Sequence, residues 1–462
     1  MVPSSRTSCS KGEGHVMTYP FEYPVTPEPR TQRSMEEQAI GLHSGLQAEE
    51  GVKSISPLLL LPEFDIVQGF PVDYMHAACE GVVEQLLDLW TDKVNHNRAW
   101  YIGNSMAEID ERMAAVVPPS DITRLPRSPS QKAHWKASEF RSWILFYCLP
   151  ILKGILPAAF LSHTLLLVHA LWILLQDTVT LDEISMCEIV LTKFVIGMEE
   201  LYGIEHMTYN VHLMLHLSKT VQLWGPLWSN SCFPFEGYNR KIKSLFHGTR
   251  YVQAQIAQNF TVMRLLRIKV ERLPVDTSPV ILQCIQDLLR GYPVTVRASS
   301  LHLGDMQVLL MGNPQNYEAP MRVEEMLHDH FGLAAEGLII HKFSCVVVNG
   351  RKFSTPKLTG RREDCYVSYD GTCIGVVSAI LRVRTDTTHK VVLLISKRKV
   401  QRVNFGNDQQ TGANAGHICE ILEYREEMFV LRCVKEKYLK CVTVKLRGKT
   451  YCMKLPNGIE LD

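Results

Sequence analysis

Apolar residues recur at helical spacing through much of the first 300 residues. Between residues 77 and 90 they occupy one helical face, at Val82, Val83, Leu86, Leu87 and Trp90. The same spacing predicts consecutive helices around Phe140–Lys153, Ala158–Leu175, Leu181–Leu201 and Asn210–Gln222. Thr180, followed three residues later by Glu183, has the capping-box spacing of a helix start. Two more helices are expected, over Gln253–Glu271 and Val280–Arg290.

The pattern changes after about residue 300. Short β-branched segments such as FSCVVVNG, KVVLLIS and CVTVKL alternate with turn residues, which predicts a small antiparallel β domain. Residues 1–56 are polar with scattered Pro and Gly, so we expect a flexible or loosely docked leader. The apolar run after Pro57 predicts a short strand-like or extended segment. The fold class is therefore α+β, and we divide the chain into 1–56, 57–135, 136–225, 226–298 and 299–462.

The composition bears on three questions: DNA binding, disulfide bonds and membrane association. The 462 residues carry a formal net charge of +1, so any contact with DNA must come from local basic patches. Thirteen cysteines without a CxxC pair indicate reduced thiols inside a cell. Those at Cys419, Cys433, Cys441 and Cys452 are interpreted as buried thiols in strands. Residues 154–175 lack Lys, Arg, Asp and Glu, which permits a membrane span, but two buried helices split near Pro157 explain them as well. We expect no membrane association.

Asp73 and His76 form an Asp-x-x-His pattern at a predicted helix start. A carboxylate at such a junction can present its oxygens to a hard cation, and the histidine one turn later could hold that carboxylate or contact a phosphate. The alternative is that Asp73 simply caps the helix, which is the usual role of an Asp at this position.

Glu236 is followed by basic residues in the text FPFEGYNRKIKSLFHGTR. A carboxylate beside Arg240, Lys241, Lys243, His247 and Arg250 suits a site that binds a metal ion and a phosphate backbone together. The alternative is a solvated amphipathic helix.

Two other groups invite a functional interpretation. His206, His212 and His216 suggest zinc, yet no HExxH motif is present and no Cys or Asp lies nearby at ligand spacing, so core positions are also consistent. Residues 351–402 hold twelve Lys or Arg and four acids, a local net charge of +8 (12 − 4). Their densest part contains Lys397, Arg398 and Lys399, which could contact DNA or form a solvated surface.

Three separated stretches resemble transposases of the CACTA (En/Spm-like) superfamily. They are GVKSISPLLLLPEFDIVQGFPVDYMHAACEGVVEQLLDLW, EFRSWILFYCLPILKGILP, and LYGIEHMTYNVHLMLHLSKTVQLWGPLWSNSCFPFEGYNRKIKSLFHGT. The resemblance covers roughly residues 50–272, with a further trace in YCMKLPNGIELD. It implies a partial ribonuclease-H-like core interrupted by a helical insertion. It also implies an Asp-Asp-Glu site in which Asp73 is the second Asp, with His76 beside it, and Glu236 is the Glu, 163 positions later (236 − 73).

The resemblance further implies Mg²⁺ held by three carboxylates, with phosphodiester cleavage and strand transfer at transposon ends. The expected partner is DNA, the expected location is the nucleus, and a homo-oligomer is compatible with both. The first catalytic Asp has no counterpart, because Asp65 is the first Asp in the chain and lies only eight residues before Asp73. We therefore expect an N-terminally truncated or degenerate copy. Three functions stay open: a DNA-binding protein with an incomplete nuclease site, a partial sequence of a complete transposase, or a non-enzymatic protein-interaction module.

Overall fold

A computed structural model describes residues 7–11, 14–21, 29–44, 52–271, 278, 298–303, 306–331, 339–356, 360–384, 389–406, 411–422 and 428–460. Helices and antiparallel strands are both present, so the α+β class is confirmed. The helix expected over Val280–Arg290 lies outside the described residues. The chain divides into two compact units, which are treated separately below. Unit 1 comprises residues 1–231, 354–378 and 393–462, and unit 2 comprises residues 232–353 and 379–392.

The helices follow the predicted periodicity closely. The α-helices of the described residues are α1 Gln32–His43, α2 Glu84–Thr91, α3 Met106–Ala114, α4 Ala137–Ser142, α5 Cys148–Leu152, α6 Ala158–Leu174, α7 Leu181–Tyr202, α8 Tyr209–Leu213, α9 Leu217–Trp224, α10 Phe233–Lys243, α11 Val252–Glu271 and α12 Met321–Phe331. π-Helical turns at Met75–Val83 and Trp143–Tyr147 run directly into α2 and α5. Short 3-10 turns occur at Pro57–Leu60, Lys93–Asn95, Gly103–Ser105, Pro129–His134, Ile204–His206, Met214–His216 and Leu227–Asn230.

Two details of the helical prediction concern helices α6 and α7. The capping box at the start of α7 is present, with Thr180 accepting a hydrogen bond from the Glu183 amide and Glu183 accepting one from the Thr180 amide. The uncharged stretch at 154–175 forms α6, whose side chains are nearly all buried in unit 1. Among the described residues, no helix is both long and apolar enough to span a bilayer.

The strands are β1 Thr7–Lys11, β2 Gly14–Thr18, β3 Val116–Val117, β4 Ala298–Leu303, β5 Met306–Met311, β6 Gln315–Asn316, β7 Ile339–Phe343, β8 Cys345–Val348, β9 Arg351–Ser354, β10 Tyr366–Tyr369, β11 Cys373–Arg384, β12 His389–Arg402, β13 Ile418–Leu422, β14 Phe429–Cys433, β15 Leu439–Leu446 and β16 Lys449–Lys454. In unit 1 the sheet order is β14-β12-β13-β16-β15-β10-β11, with β3 pairing to β15. In unit 2 the end of β11 pairs with β7 and then β6, while β4, β5, β8 and β9 form a second sheet.

Unit 1 contains residues from both sides of position 299. Within unit 1 the C-terminal strands share a core with the helices of residues 136–225. The His417 ring stacks on Trp172 with 4.8 Å between centroids, and its Nε2 donates to the Leu145 carbonyl. The Trp172 indole donates to the Lys454 carbonyl, and Asn457 donates to the Leu175 carbonyl. Alternating apolar residues in these strands are buried by helices as well as by each other, which the sequence pattern alone does not distinguish.

Parts of the predicted leader form regular elements, and the segment after it forms a turn. Strands β1 and β2 form a hairpin, and α1 begins with a capping box at Thr31. The Tyr19 amide donates to the Met207 carbonyl, so this part of the leader is docked on the helical region of unit 1. Pro57–Leu60 is a 3-10 turn and not a strand, because Pro57 occupies its first position and Ser56 caps it.

Candidate functional site

Asp73 caps the helical segment that begins at Met75. Its carboxylate accepts the backbone N–H of Met75 at 3.4 Å and that of His76 at 3.1 Å. The His76 ring lies over the same carboxylate, with Nδ1 2.5 Å from Oδ2. His76 is exposed, whereas Asp73 is mostly covered. The histidine therefore holds the carboxylate, as the sequence predicts, and the capping role of Asp73 is present at the same time.

The residues on both sides of Asp73 are anchored in the core of unit 1. The buried Val72 donates its amide to Thr220 Oγ1 at 3.3 Å, and the Thr220 hydroxyl donates to the His216 carbonyl at 3.0 Å. Tyr74 is 1% exposed. Backbone freedom at Asp73 is therefore small, because its two neighbours are fixed by contacts to separate elements.

The Tyr74 hydroxyl ends in a buried ionic network. It hydrogen-bonds Glu460, and the Glu460 carboxylate lies 3.2 Å from the Arg141 guanidinium. Burial and the Glu460 charge both raise the pKa of Tyr74. Burial lowers the pKa of Arg141, but the Glu460 charge and the contacts to Tyr74 and Cys79 together more than offset this, so the net pKa is raised. We call these three side chains the tail network, because Glu460 comes from the last segment of the sequence.

The tail network was not predicted from the sequence. Its three members are Tyr74 in GFPVDYMH, Arg141 in EFRSW and Glu460 in NGIELD, all of them within segments that carry the family resemblance. The only signal in the sequence was that Arg141 and Glu460 are charged residues within apolar stretches. Nothing in the sequence shows that these two residues pair across more than 300 positions.

The helix after Asp73 also packs tightly. At Gly81 an added Cβ would lie 2.5 Å from the Asn210 side chain, so glycine is required for α8 to approach this closely. Cys79 is fully buried beneath the same turn, and burial raises the pKa of its thiol. This cysteine is therefore a packing residue and not a reactive thiolate.

Glu236 lies in unit 2, in the first turn of α10, where its amide donates to the Cys232 carbonyl at 2.9 Å. The Glu236 side chain is exposed, and so are Lys241, Lys243 and Arg250. Arg240 is on the same helix, and its side chain is outside the described atoms. Helix α10 therefore carries Lys241 and Lys243 beside Glu236, whereas His247 and Arg250, which were expected on the same helix, lie in the loop after it.

The loop between α10 and α11 is held by side chains of α11. Gln255 accepts the His247 amide at 3.1 Å and donates to the Arg250 carbonyl at 2.8 Å. Tyr251 is 82% exposed and has a left-handed backbone with φ of 55°. The loop thus presents an aromatic ring and a basic residue in an ordered turn.

The second basic cluster, on β12 in unit 1, is divided by the strand geometry. Lys397 and Lys399 are exposed, whereas Arg398 between them is half-buried. Successive strand residues point to opposite faces, so Lys397 and Lys399 share one face and Arg398 lies on the other. Val400, on the Arg398 face, packs against the buried cluster of Cys419, Cys441 and Cys452. The structure therefore brings together two of the three predicted basic residues.

Cys419, Cys441 and Cys452 are buried free thiols, in agreement with the sequence interpretation, and Cys433 is half-buried and also free.

Of the three histidines considered for zinc, His206 contacts Trp100 and Glu205. His212 and His216 face each other, with 3.3 Å between their Nε2 atoms. Zinc bound by all three is therefore not supported, because His206 turns to other partners.

Comparison of the chain with protein-family models, with curated proteins and with solved structures gave no match.

Proposed function

We propose that this chain derives from a CACTA-like transposase and binds DNA, with Asp73 and Glu236 as the counterparts of the second Asp and the Glu of an Asp-Asp-Glu site. The observation that carries the proposal is the tail network. Three segments that resemble the family, far apart in the sequence, meet in one buried cluster directly behind Asp73. A resemblance by chance gives no reason for such segments to converge at the predicted catalytic motif.

The residues of the proposed site suit a hard cation. Carboxylate oxygens are the ligands that Mg²⁺ prefers, and the Asp73 carboxylate is held in a fixed orientation by His76 and the helix start. In such a site the metal polarises phosphate oxygens and activates the attacking oxygen. Asp73 would be one ligand of the ion, and His76 would fix its carboxylate. The first Asp has no counterpart among the residues that the structure describes, so we propose that these residues bind metal weakly and do not cleave DNA efficiently.

The proposed DNA-binding surface is the α10–α11 region of unit 2. Lys241, Lys243 and Arg250 are exposed and carry no counter-ion among the described ion pairs. Neutralising phosphates releases condensed counterions, so each such contact strengthens binding at low salt. Lys397 and Lys399 form a second, smaller candidate surface on unit 1. A nuclear location and an association between copies on DNA belong to the same proposal.

Fluorescence anisotropy with a labelled duplex tests DNA binding. We expect affinity to fall steeply with salt, and the slope of log K against log [salt] to decrease by about 0.9 for each phosphate contact removed. The triple variant Lys241→Ala, Lys243→Ala, Arg250→Ala should lose most of the affinity. Lys93→Ala with Lys219→Ala removes exposed lysines elsewhere and is the control. An absence of salt-dependent binding at low ionic strength would refute the DNA role.

A cleavage assay separates binding from catalysis. With supercoiled plasmid and Mg²⁺, we expect the wild-type chain to nick DNA no faster than Asp73→Asn or Glu236→Gln. Mg²⁺-dependent nicking that both substitutions abolish would instead mean that the chain completes the site from other residues.

A protein-interaction module is the second candidate, and one observation favours it. Helix α11 exposes Phe260, Val262 and Leu265 to solvent, and large exposed apolar side chains on one element are typical of protein contacts. Purified chain that binds no DNA but forms a defined complex through α11 would favour this function over the first.

A further inference from the structure

His212 lies in α8, and His216 lies one turn later, at the end of the 3-10 turn that leads into α9 in unit 1. Their Nε2 atoms point at each other across 3.3 Å, and the rings are tilted by 72°. Two imidazole nitrogens that each lie 2.0–2.1 Å from a tetrahedral ion are separated by about 3.3–3.4 Å. The observed distance matches that separation, and in the metal-free protein one ring can donate its N–H to the other across it.

The pair is also preorganised. The His212 ring packs near Tyr19 and Tyr209, with centroids 5.8 Å and 6.4 Å away. Thr208 caps α8 by accepting the Val211 amide, which fixes the turn that carries His212. Ligands held in place before binding lose less conformational entropy when an ion arrives.

Both rings are in the form that coordinates metal. Burial lowers the pKa of His212, and burial together with the neighbouring ring lowers the pKa of His216 to about 4. Neutral imidazole is the ligand form, and zinc, cobalt and nickel accept it readily. In the described part of the chain no third His, Cys, Asp or Glu joins this pair at ligand distance. Water would fill the other positions.

We propose that His212 and His216 form a two-histidine site for a first-row divalent cation of the zinc class. Its role would be structural. The Thr220 hydroxyl donates to the His216 carbonyl and accepts the amide of Val72, the residue before Asp73. A bound ion would therefore stiffen the turn from which Val72 is held. The site is distinct from the carboxylate site and does not depend on DNA binding.

Metal titration of the full chain tests the site. After removal of metal with a chelator, Co²⁺ absorption and Zn²⁺ calorimetry should report one equivalent bound. We expect His212→Gln and His216→Gln each to weaken binding at least tenfold, consistent with loss of one of two protein ligands. His96→Gln, which removes an exposed histidine outside both proposed metal sites, should bind as the wild type does.

A second measurement covers the case in which a variant misfolds. In nitrogen-resolved spectra of the wild-type chain, Zn²⁺ should shift the Nε2 resonances of His212 and His216 together. Wild-type binding that survives in both variants would overturn the proposal. The proposal would also be overturned if the wild-type chain bound no Zn²⁺ up to about 1 mM, a dissociation constant that corresponds to a binding free energy of about −4 kcal/mol. Nε2 resonances that do not shift when Zn²⁺ is added would overturn it as well.

Discussion

Glu460→Gln tests whether the tail network supports the helix that carries Asp73 and His76. The substitution keeps the shape of the side chain and removes the charge that faces Arg141 at 3.2 Å. Both side chains are less than 10% exposed. Removing one partner of a buried ion pair leaves the other charge uncompensated, which destabilises a fold by about 3–5 kcal/mol. If the last segment detaches, Arg141 becomes partly solvated, which reduces the cost of the unpaired charge. We therefore expect the free energy of unfolding to fall by an amount near the lower end of this range.

A double-mutant cycle assigns the loss to the pair. Arg141→Met alone leaves a buried carboxylate, whereas Arg141→Met with Glu460→Gln leaves no buried charge. We expect the double variant to be more stable than the sum of the single losses predicts, with a coupling of about 1–3 kcal/mol. Glu37→Gln, which removes the carboxylate of an exposed pair with Arg33, is the matched control and should leave the unfolding midpoint unchanged.

Urea unfolding gives the stabilities, and hydrogen exchange gives the location of the effect. In Glu460→Gln, amides of residues 75–83 should exchange faster than in the wild type, while those of α7 change little. Additive losses within about 0.5 kcal/mol would refute the reasoning. So would exchange that accelerates equally throughout unit 1, because the network would then act on global stability and not on the Asp73 helix.

Three further outcomes are expected. Lys440→Met should destabilise the chain by about 3–5 kcal/mol in urea unfolding. The substitution leaves the buried carboxylates of Asp121 and Asp364, which the Lys440 ammonium contacts at 3.0 and 2.9 Å, without their counter-charge. Burial lowers the pKa of His163 to about 4 and of His417 to about 3. The two imidazole rings take up protons below about pH 6.5 in the unfolded chain but not in the folded chain. The free energy of unfolding should therefore fall by about 1.4 kcal/mol per pH unit for each ring between pH 6.5 and 4. A His417→Gln variant whose free energy of unfolding depends on pH as steeply as that of the wild type would contradict this. Gly81→Ala should cost about 1–3 kcal/mol, because the new methyl group meets Asn210; an unchanged midpoint would show that α8 yields freely.

The helices could be predicted from the sequence because their signals are local. The i, i+3/4 spacing between residues 136 and 225 and the Thr180 capping box depend on residues within one or two turns of each other. The arrangement of the β-rich region could not be predicted in this way. Alternation shows which residues of a strand are buried, but a strand covered by helices such as α6 has the same pattern as one in a separate sheet.

In the candidate site, too, the local contacts could be predicted from the sequence and the long-range contacts could not. The contact between Asp73 and His76 follows from three-residue spacing at a helix start, and it is present. The anchors of its neighbours depend on Thr220 and Glu460, which are about 150 and 390 positions away. Pairings at that range are set by topology, and one sequence carries no signal for them.

The two interpretations of Asp73 are compatible, and the network behind it explains why. A helix cap needs a carboxylate near two amides, and a metal ligand needs that carboxylate held in one orientation. A cap alone, however, does not require buried charges beneath it. A buried Arg141–Glu460 pair has an unfavourable desolvation term that an apolar replacement would avoid. Its presence directly below Tyr74 is therefore better explained by a need to hold the Asp73 turn in one conformation than by stability. If the double variant Arg141→Met, Glu460→Gln proved as stable as the wild type while the Asp73 amides exchanged faster, positioning and stability would be separated in one experiment.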